Sequence, residues 1–72
     1  MRVAVVKAAH DDEAGVWYVE RSDLDGLHFE GHTFEVFCGN VASAVEDLLE
    51  GEGDEVHIEI IAHASIRARA AA

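Results

Sequence analysis

The sequence is poor in cysteine, in basic residues and in long hydrophobic runs. Its 72 residues include one cysteine, Cys38, so an intrachain disulfide is impossible, and no CxxC pair marks a structural zinc site. No stretch approaches the length that spans a bilayer. Lys7 and the polar run that follows it interrupt the apolar N-terminus before it could form a signal peptide. We therefore expect a cytoplasmic location, where a single unpaired thiol stays reduced.

The scarcity of basic residues argues against a nucleic-acid-binding surface. Fifteen acidic residues face five basic ones, which gives a net charge of −10 at pH 7. Every acidic residue lies between positions 11 and 59, where Arg21 is the only opposing charge. Nucleic-acid binding needs a cationic face that releases counterions from phosphates, so direct binding of DNA or RNA is not expected. Acidity favours a basic protein partner, or it serves solubility alone.

The hydrophobic content is sufficient for one small core. Half of the residues are hydrophobic, so a single domain over residues 1–72 is expected. In a chain this short, apolar burial and lost conformational entropy nearly balance, and small domains usually need a further stabilising device. Because neither a disulfide nor a zinc site is expected, we predict self-association into a homodimer or a larger homo-oligomer.

The residue pattern predicts four strands and one helix in the order β-β-β-α-β. The predicted strands are Val3–Ala9, Val16–Arg21, Leu27–Gly31 and Glu55–Ala68. Thr33 is a predicted helix N-cap, and the helix ends before Gly51. The apolar stripe that defines this helix, at spacings of three and four, consists of Phe34, Phe37, Val41, Val45 and Leu48. One helix covers one face of a four-stranded sheet, so the fold class is α+β.

The helix stripe is expected to pack on one face of the sheet. The strand residues predicted to join this core are Trp17, Val19, Leu27 and Phe29. The other face is expected to stay open and to carry some of Ala4, Val6, Val16, Tyr18 and Ile61. A half-apolar open face is a candidate oligomer interface, and its predicted contact residues are Val6, Tyr18 and Ile61.

The search for catalytic residues predicts that the protein is not an enzyme. Cys38 falls beside Phe34 and Val41 on the helix stripe, which indicates a buried thiol instead of a nucleophile. The serines stand in no nucleophile-elbow context, and the glycines near residue 52 flank an acidic centre that would repel phosphate. No cofactor is expected.

Histidines and carboxylates leave metal or small-molecule binding as an alternative, which we rank last. The two candidate sets, each on one face of a predicted strand, are His28, Glu30 and His32, and His57, Glu59 and His63. His57 and His63 are six residues apart along a strand, roughly 20 Å, which is too far for one ion. A site would need ligands from two strands or two chains, so no metal ligand is predicted.

Three segments resemble a known family. They are residues 13–19 (EAGVWYV), 22–27 (SDLDGL) and 30–35 (EGHTFE). They are similar to the "D-x-x-x-G-x-(W/Y)-V" strand, the "S-D-(L/I)-P-G-L" turn and the "(A/G)-x-T-(L/F)-E-E" helix start of HicB-type antitoxin N-terminal domains. The resemblance is strongest to short relatives known only as a domain of unknown function. It covers nearly the whole chain and agrees with the β-β-β-α-β order.

The resemblance implies a HicB-like, partial ribonuclease-H-like fold without nuclease activity, with a mostly antiparallel sheet of strand order 3-2-1-4. It also implies a role in binding and neutralising a small basic toxin that cleaves mRNA. Full-length HicB proteins add a C-terminal DNA-binding domain, which is not expected in this sequence ending at Ala72. Two departures affect the expected toxin surface. Asp25 replaces the usual turn proline, and residues 36–39 (VFCG) replace a more polar first half of the helix.

Two functional interpretations follow. In the first, the chain is an antitoxin-type protein whose acidic residues contact a small basic toxin. The predicted partner-binding residues are Asp23, Asp25, Glu46, Asp47 and Glu50. In the second, the chain is a homo-oligomeric sheet module of unknown role without a toxin partner. Neither interpretation involves direct contact with nucleic acid or a membrane.

Overall fold

A computed structural model describes residues 2–50, 53 and 55–70 as a mixed sheet with one helix on one face. The elements are β1 (Arg2–Asp11), β2 (Val16–Ser22), β3 (Glu30–Gly31), α1 (Phe34–Leu48) and β4 (Val56–His63). The sheet order is β3-β2-β1-β4, in which β1 runs parallel to β4 and the other two pairings are antiparallel. The predicted α+β class, element order and strand order 3-2-1-4 are confirmed.

The link between β1 and β2 is a short turn closed by Asp11. The Gly15 amide donates a hydrogen bond to the Asp11 carbonyl oxygen at 2.8 Å. The Asp11 side chain accepts hydrogen bonds from the backbone amides of Glu13 and Ala14, at 3.0 and 3.2 Å. Gly15 has a φ of +68°, a left-handed conformation that glycine adopts without steric cost. The turn therefore returns the chain antiparallel to β1, as predicted.

The core lies between α1 and the face of β1 that carries Ala4 and Val6. Both residues are buried, so the prediction that Val6 lies on the open face is wrong, and Ala4 is not among the residues of that face either. The reason is that β1 has apolar side chains on both faces, so alternation alone does not determine which face the helix covers. The pairing of Ala8 with Val19 places these two residues on the helix side together. The buried core cluster consists of Ala4, Val6, Ala8, Leu24, Leu27, Phe37, Val41, Ala44 and Val45.

Two leucines from the irregular segment before β3 complete this core, while other predicted core residues lie at its margin. Leu24 and Leu27 are buried, whereas Phe29 and Leu48 are exposed by 42% and 48%. The third strand was predicted over Leu27–Gly31 but is limited to two residues. Leu27 enters the core from irregular backbone, and pairing with β2 begins only at Glu30.

A row of aromatic rings joins the sheet to the start of α1. The Trp17 ring lies 5.1 Å from the ring of His10 and 5.1 Å from that of Phe34, both in edge-on geometry. Phe34 continues the row to Phe37 at 6.2 Å. Edge-to-face contacts of this kind add to the stabilisation from burial, so the row fastens the first turn of α1 to β2.

β4 ends earlier than the predicted limit at Ala68. Its ladder with β1 runs from Arg2 opposite Val56 to Ala9 opposite His63. Beyond His63, residues 64–70 are exposed and belong to no strand. The molecule is elongated, with extents of 58 × 22 × 18 Å. No helix in the described part of the chain is long and apolar enough to cross a membrane.

Candidate functional site

The outer face of α1 is an exposed acidic surface. Thr33 caps the helix, its hydroxyl oxygen accepting a hydrogen bond from the Val36 amide at 3.0 Å. Because the helix begins after Thr33, its buried residues Phe37 and Val41 face the sheet. The opposite side then presents Glu46 and Asp47, and Glu50 follows in the turn after the helix. All three are exposed, and we call them the helix trio.

The helix trio has no compensating charge nearby in sequence. The segment 34–50 contains four acidic residues and no lysine or arginine. None of the three trio side chains forms an ion pair or hydrogen bond with another described residue. Unpaired carboxylates grouped at the C-terminal end of a helix produce a negative potential that attracts a cationic partner.

The two turn aspartates predicted to bind a partner differ in their surroundings. The Asp23 carboxylate accepts a hydrogen bond from the Val5 amide at 2.9 Å, and the Asp23 amide donates to the Val5 carbonyl oxygen at 3.1 Å. Asp23 therefore holds the end of β2 against β1. Asp25 is exposed and makes no hydrogen bond with a described residue. These aspartates lie on a different element from the helix trio, in the connection between β2 and β3.

The open face is less apolar than predicted. Val6, a predicted interface residue, is fully buried beneath α1 and therefore cannot contact another copy from this face. Tyr18 and Ile61 are exposed there, by 38% and 54%. In the sheet register, Lys7 lies beside Arg21 of β2 and beside Ile61 of β4. These two cations therefore interrupt the apolar surface between Tyr18 and Ile61. The open face of β1 and its neighbours carries Val3, Val5, Lys7, Ala9, Tyr18, Arg21, His57, Glu59, Ile61 and His63.

The histidines lie apart from one another. His28 and His32 flank the two-residue β3 and do not share a regular strand face. His10 contacts Asp12 at 2.7 Å, and His57 lies 4.0 Å from Glu59. Among residues 2–50, 53 and 55–70, no three metal-ligating side chains are grouped closely enough to hold an ion.

Cys38 is a partly buried thiol on α1. Burial raises its pKa because desolvation disfavours the charged thiolate. A nucleophilic cysteine needs the opposite shift, toward a stabilised thiolate. The environment of Cys38 therefore fits a packing role at the edge of the core, where it contacts the buried cluster.

A groove of about 570 Å³ runs between α1 and the outer edge of β4. The residues that line it are Ala42, Val45, Glu46, Leu49, Glu55, Val56, His57 and Ile58. Its floor is apolar and its rim is acidic. This groove was not predicted from the sequence. The signal available for it was the alternation of apolar residues over positions 56–66, which continues past the end of β4.

Comparison with known proteins agrees with this architecture. The family model for a domain of unknown function, DUF1902, matches residues 3–72. The chain belongs to the DUF1902 family. This DUF1902 domain is also similar to the crystal structure of the hypothetical protein TTHA1013 from the extremely thermophilic bacterium Thermus thermophilus. The two are 35% identical with a TM-score of 0.74, over 93% of this chain and 100% of that chain. None of the curated proteins matches the chain.

Proposed function

We propose that this DUF1902 domain is a non-catalytic, cytoplasmic protein of the HicB-like antitoxin type. In this proposal it binds a small basic toxin that cleaves mRNA and neutralises it. The observation that carries the proposal is the helix trio, because these three exposed carboxylates at the C-terminal end of α1 pair with no cation among the described residues. The resemblance of the strand, turn and helix-start motifs to HicB-type domains supports the class of partner.

The electrostatics of the domain favour a basic protein over a nucleic acid. The helix trio would repel phosphates, whereas it would steer a cationic partner toward α1 and raise its association rate. Lys7 and Arg21 lie on the open face of the sheet, away from the trio. Asp25, free of hydrogen bonds within the described chain, is a second contact candidate. Asp23 contributes to binding indirectly, by fixing the turn.

The arrangement also gives no support to a hydrolytic function. Metal-assisted nuclease chemistry needs several carboxylates converging on magnesium. In the described part of the chain, carboxylates and histidines form no such cluster. A toxin-binding role needs only an exposed surface of matching charge, which α1 provides.

The test is affinity purification of the tagged chain from its native host, followed by binding measurements with the purified partner. We expect a small basic protein at fixed stoichiometry whose RNA cleavage stops when the domain is added. Recovery of the chain alone as an oligomer would favour the alternative, a homo-oligomeric sheet module without a toxin partner.

A charge-reversal experiment then assigns the surface. The triple variant Glu46→Lys, Asp47→Lys, Glu50→Lys should bind the partner at least roughly tenfold more weakly at low salt. The matched control reverses three exposed acids on other elements: Glu13→Lys, Glu20→Lys, Glu30→Lys. Both variants change the net charge equally, so equal losses would show a non-specific charge effect and would refute the helix trio as the binding surface.

A further inference from the structure

The outer edge of β4 is the longest unpaired strand edge in the described part of the chain. β4 has eight residues and pairs with β1 alone, whereas the opposite edge strand, β3, has two. An exposed edge presents a row of free amide and carbonyl groups, which is a template for another strand. We propose that two copies of this chain assemble by antiparallel pairing of β4 with the partner's β4.

The residues that follow β4 support a second copy as the occupant. Residues 64–70 continue the strand alternation but lie beyond the end of the β1 ladder and belong to no strand. Ile66 is 91% exposed there, an unfavourable position for a large apolar side chain. Within one copy, the segment after His63 has no neighbouring strand. In an antiparallel pair, residues 56–58 of the partner lie beside that segment and supply one.

Charge selects the register of this pairing. With Ile61 on the two-fold axis, His63 lies opposite the partner's Glu59 and Arg67 lies opposite the partner's Glu55. Two-fold symmetry repeats each pair, and opposite charges such as Arg67 and Glu55 stabilise a sheet when they face each other across strands.

The neighbouring registers are poorer. Centring the pair on Ile60 sets His63 against the partner's His57 and Arg67 against the partner's Gly53. Centring it on Ala62 sets Arg67 against the partner's His57. In that register the residue opposite the partner's Glu55 is Arg69. Only the register centred on Ile61 gives both His63 and Arg67 an acidic neighbour.

The same register fills the groove beside α1. Ile66 lies opposite the partner's Val56, and the two side chains share the helix side of the sheet because directly opposed residues point to the same face. Ile66 would thus enter the groove formed by Val56 with Val45 and Leu49 of the helix. Ala64 then faces the partner's Ile58, so a small side chain meets a large one. The register that the charges select therefore also covers the apolar side chain of Ile66.

The assembly does not depend on the proposed toxin, and its test needs no toxin. Sedimentation velocity over a wide concentration range should show a monomer–dimer equilibrium for the wild-type chain. Arg67→Glu and Glu55→Arg should each weaken the dimer roughly tenfold, because each places like charges opposite one another at two symmetric positions. An equimolar mixture of the two variants should recover a heterodimer, since the acid introduced at position 67 of one copy then meets the base introduced at position 55 of the other.

The matched control is Arg69→Glu, which changes the same residue type on the same segment. Arg69 lies opposite the partner's Gly53, so the dimer should keep its wild-type affinity. Equal weakening by Arg69→Glu and Arg67→Glu would overturn the register, and failure of the mixture to recover would overturn the Arg67–Glu55 pairing. A strictly monomeric wild-type chain would overturn the assembly itself.

Hydrogen exchange supplies the second measurement. Alternate amides of residues 64–67, which face the partner's residues 55–58, should be protected in the wild-type dimer and unprotected in Arg67→Glu at low concentration. A wild-type dimer without protection in that segment would show that another surface mediates association, and it would refute β4 pairing. Glu46 of the helix trio also lines the groove, so the oligomeric state of the helix-trio variant should be measured in parallel. That measurement distinguishes loss of the dimer from loss of toxin binding.

Discussion

Gly31 and Phe37 meet backbone to backbone at the junction of β3 and α1. A Cβ atom placed on Gly31 would lie 2.6 Å from the Phe37 nitrogen and 2.8 Å from its Cα. Phe37 is also the largest fully buried residue of the core. The helix reaches this depth because residue 31 has no side chain, so one glycine determines how closely the first turn of α1 approaches the sheet.

Replacing Gly31 by alanine should therefore destabilise the domain. The added methyl group meets main-chain atoms, which cannot move aside as a flexible side chain would, so we expect a loss of about 1–3 kcal/mol in the free energy of unfolding. Urea denaturation followed by circular dichroism measures this. Gly39→Ala is the matched control, because a Cβ there has nothing within 4 Å. It should stabilise the helix by about 0.5–1 kcal/mol, and a Gly31→Ala variant as stable as the wild type would refute the close contact.

Asp23→Ala should destabilise the fold although its side chain is exposed. The substitution removes the carboxylate that accepts the Val5 amide hydrogen bond at 2.9 Å, and we expect a cost of about 1–2 kcal/mol. Asp25→Ala, two residues away in the same turn, should lie within about 0.5 kcal/mol of the wild type. Thermal unfolding of the two variants side by side measures the difference. Equal stability of both would mean that the Asp23 bond is not formed in solution.

Thr33 should be replaceable by serine but not by alanine. The Thr33 hydroxyl oxygen accepts a hydrogen bond from the Val36 amide, one of the amides that an α-helix leaves without an internal partner. Thr33→Ala should lower the free energy of unfolding by about 1 kcal/mol, whereas Thr33→Ser keeps the acceptor and should retain most of the stability. Chemical denaturation of the two variants tests this, and equal losses would assign the effect to the methyl group instead of the cap.

Cys38 should react slowly with alkylating reagents while the domain is folded. Burial raises the pKa of the thiol, so less thiolate is present at a given pH than in the unfolded chain. Iodoacetamide labelling followed by mass spectrometry should be slower in buffer than in denaturant at about pH 8, close to the ordinary range of a thiol. The sign for stability follows from the same shift. A raised pKa favours the folded state while the thiol is protonated, and this contribution is lost as pH rises through the thiol's titration range. Faster labelling of the folded chain would contradict the desolvated environment.

The architecture was predictable because its elements carry clear local signals. Thr33 begins a helix with regular apolar spacing, and short polar turns separate the strands. The faces of β1 were not predictable, since Val5 and Val6 are equally apolar and tertiary packing decides which is covered. The third strand was overestimated because Leu27 alternates like a strand residue yet enters the core from irregular backbone.

The candidate surface was predictable in part. Helical phase was sufficient to predict that Glu46 and Asp47 are exposed on one side of α1. The role of Asp23 could not be predicted from the sequence, because its hydrogen bond to Val5 joins residues 18 positions apart. The β4 edge depended on knowing that the last strand lies outermost, and the groove beside it depends on where α1 crosses the sheet.

The aromatic row at the start of α1 has a practical consequence. Trp17 is the only tryptophan in the chain, and its ring lies between those of His10 and Phe34. Its emission therefore depends on the Phe34 contact, which exists only while the first helical turn rests on β2. The domain contains its own optical probe, so undocking of α1 on denaturation, or its displacement by a bound protein, can be followed by intrinsic fluorescence without any added label.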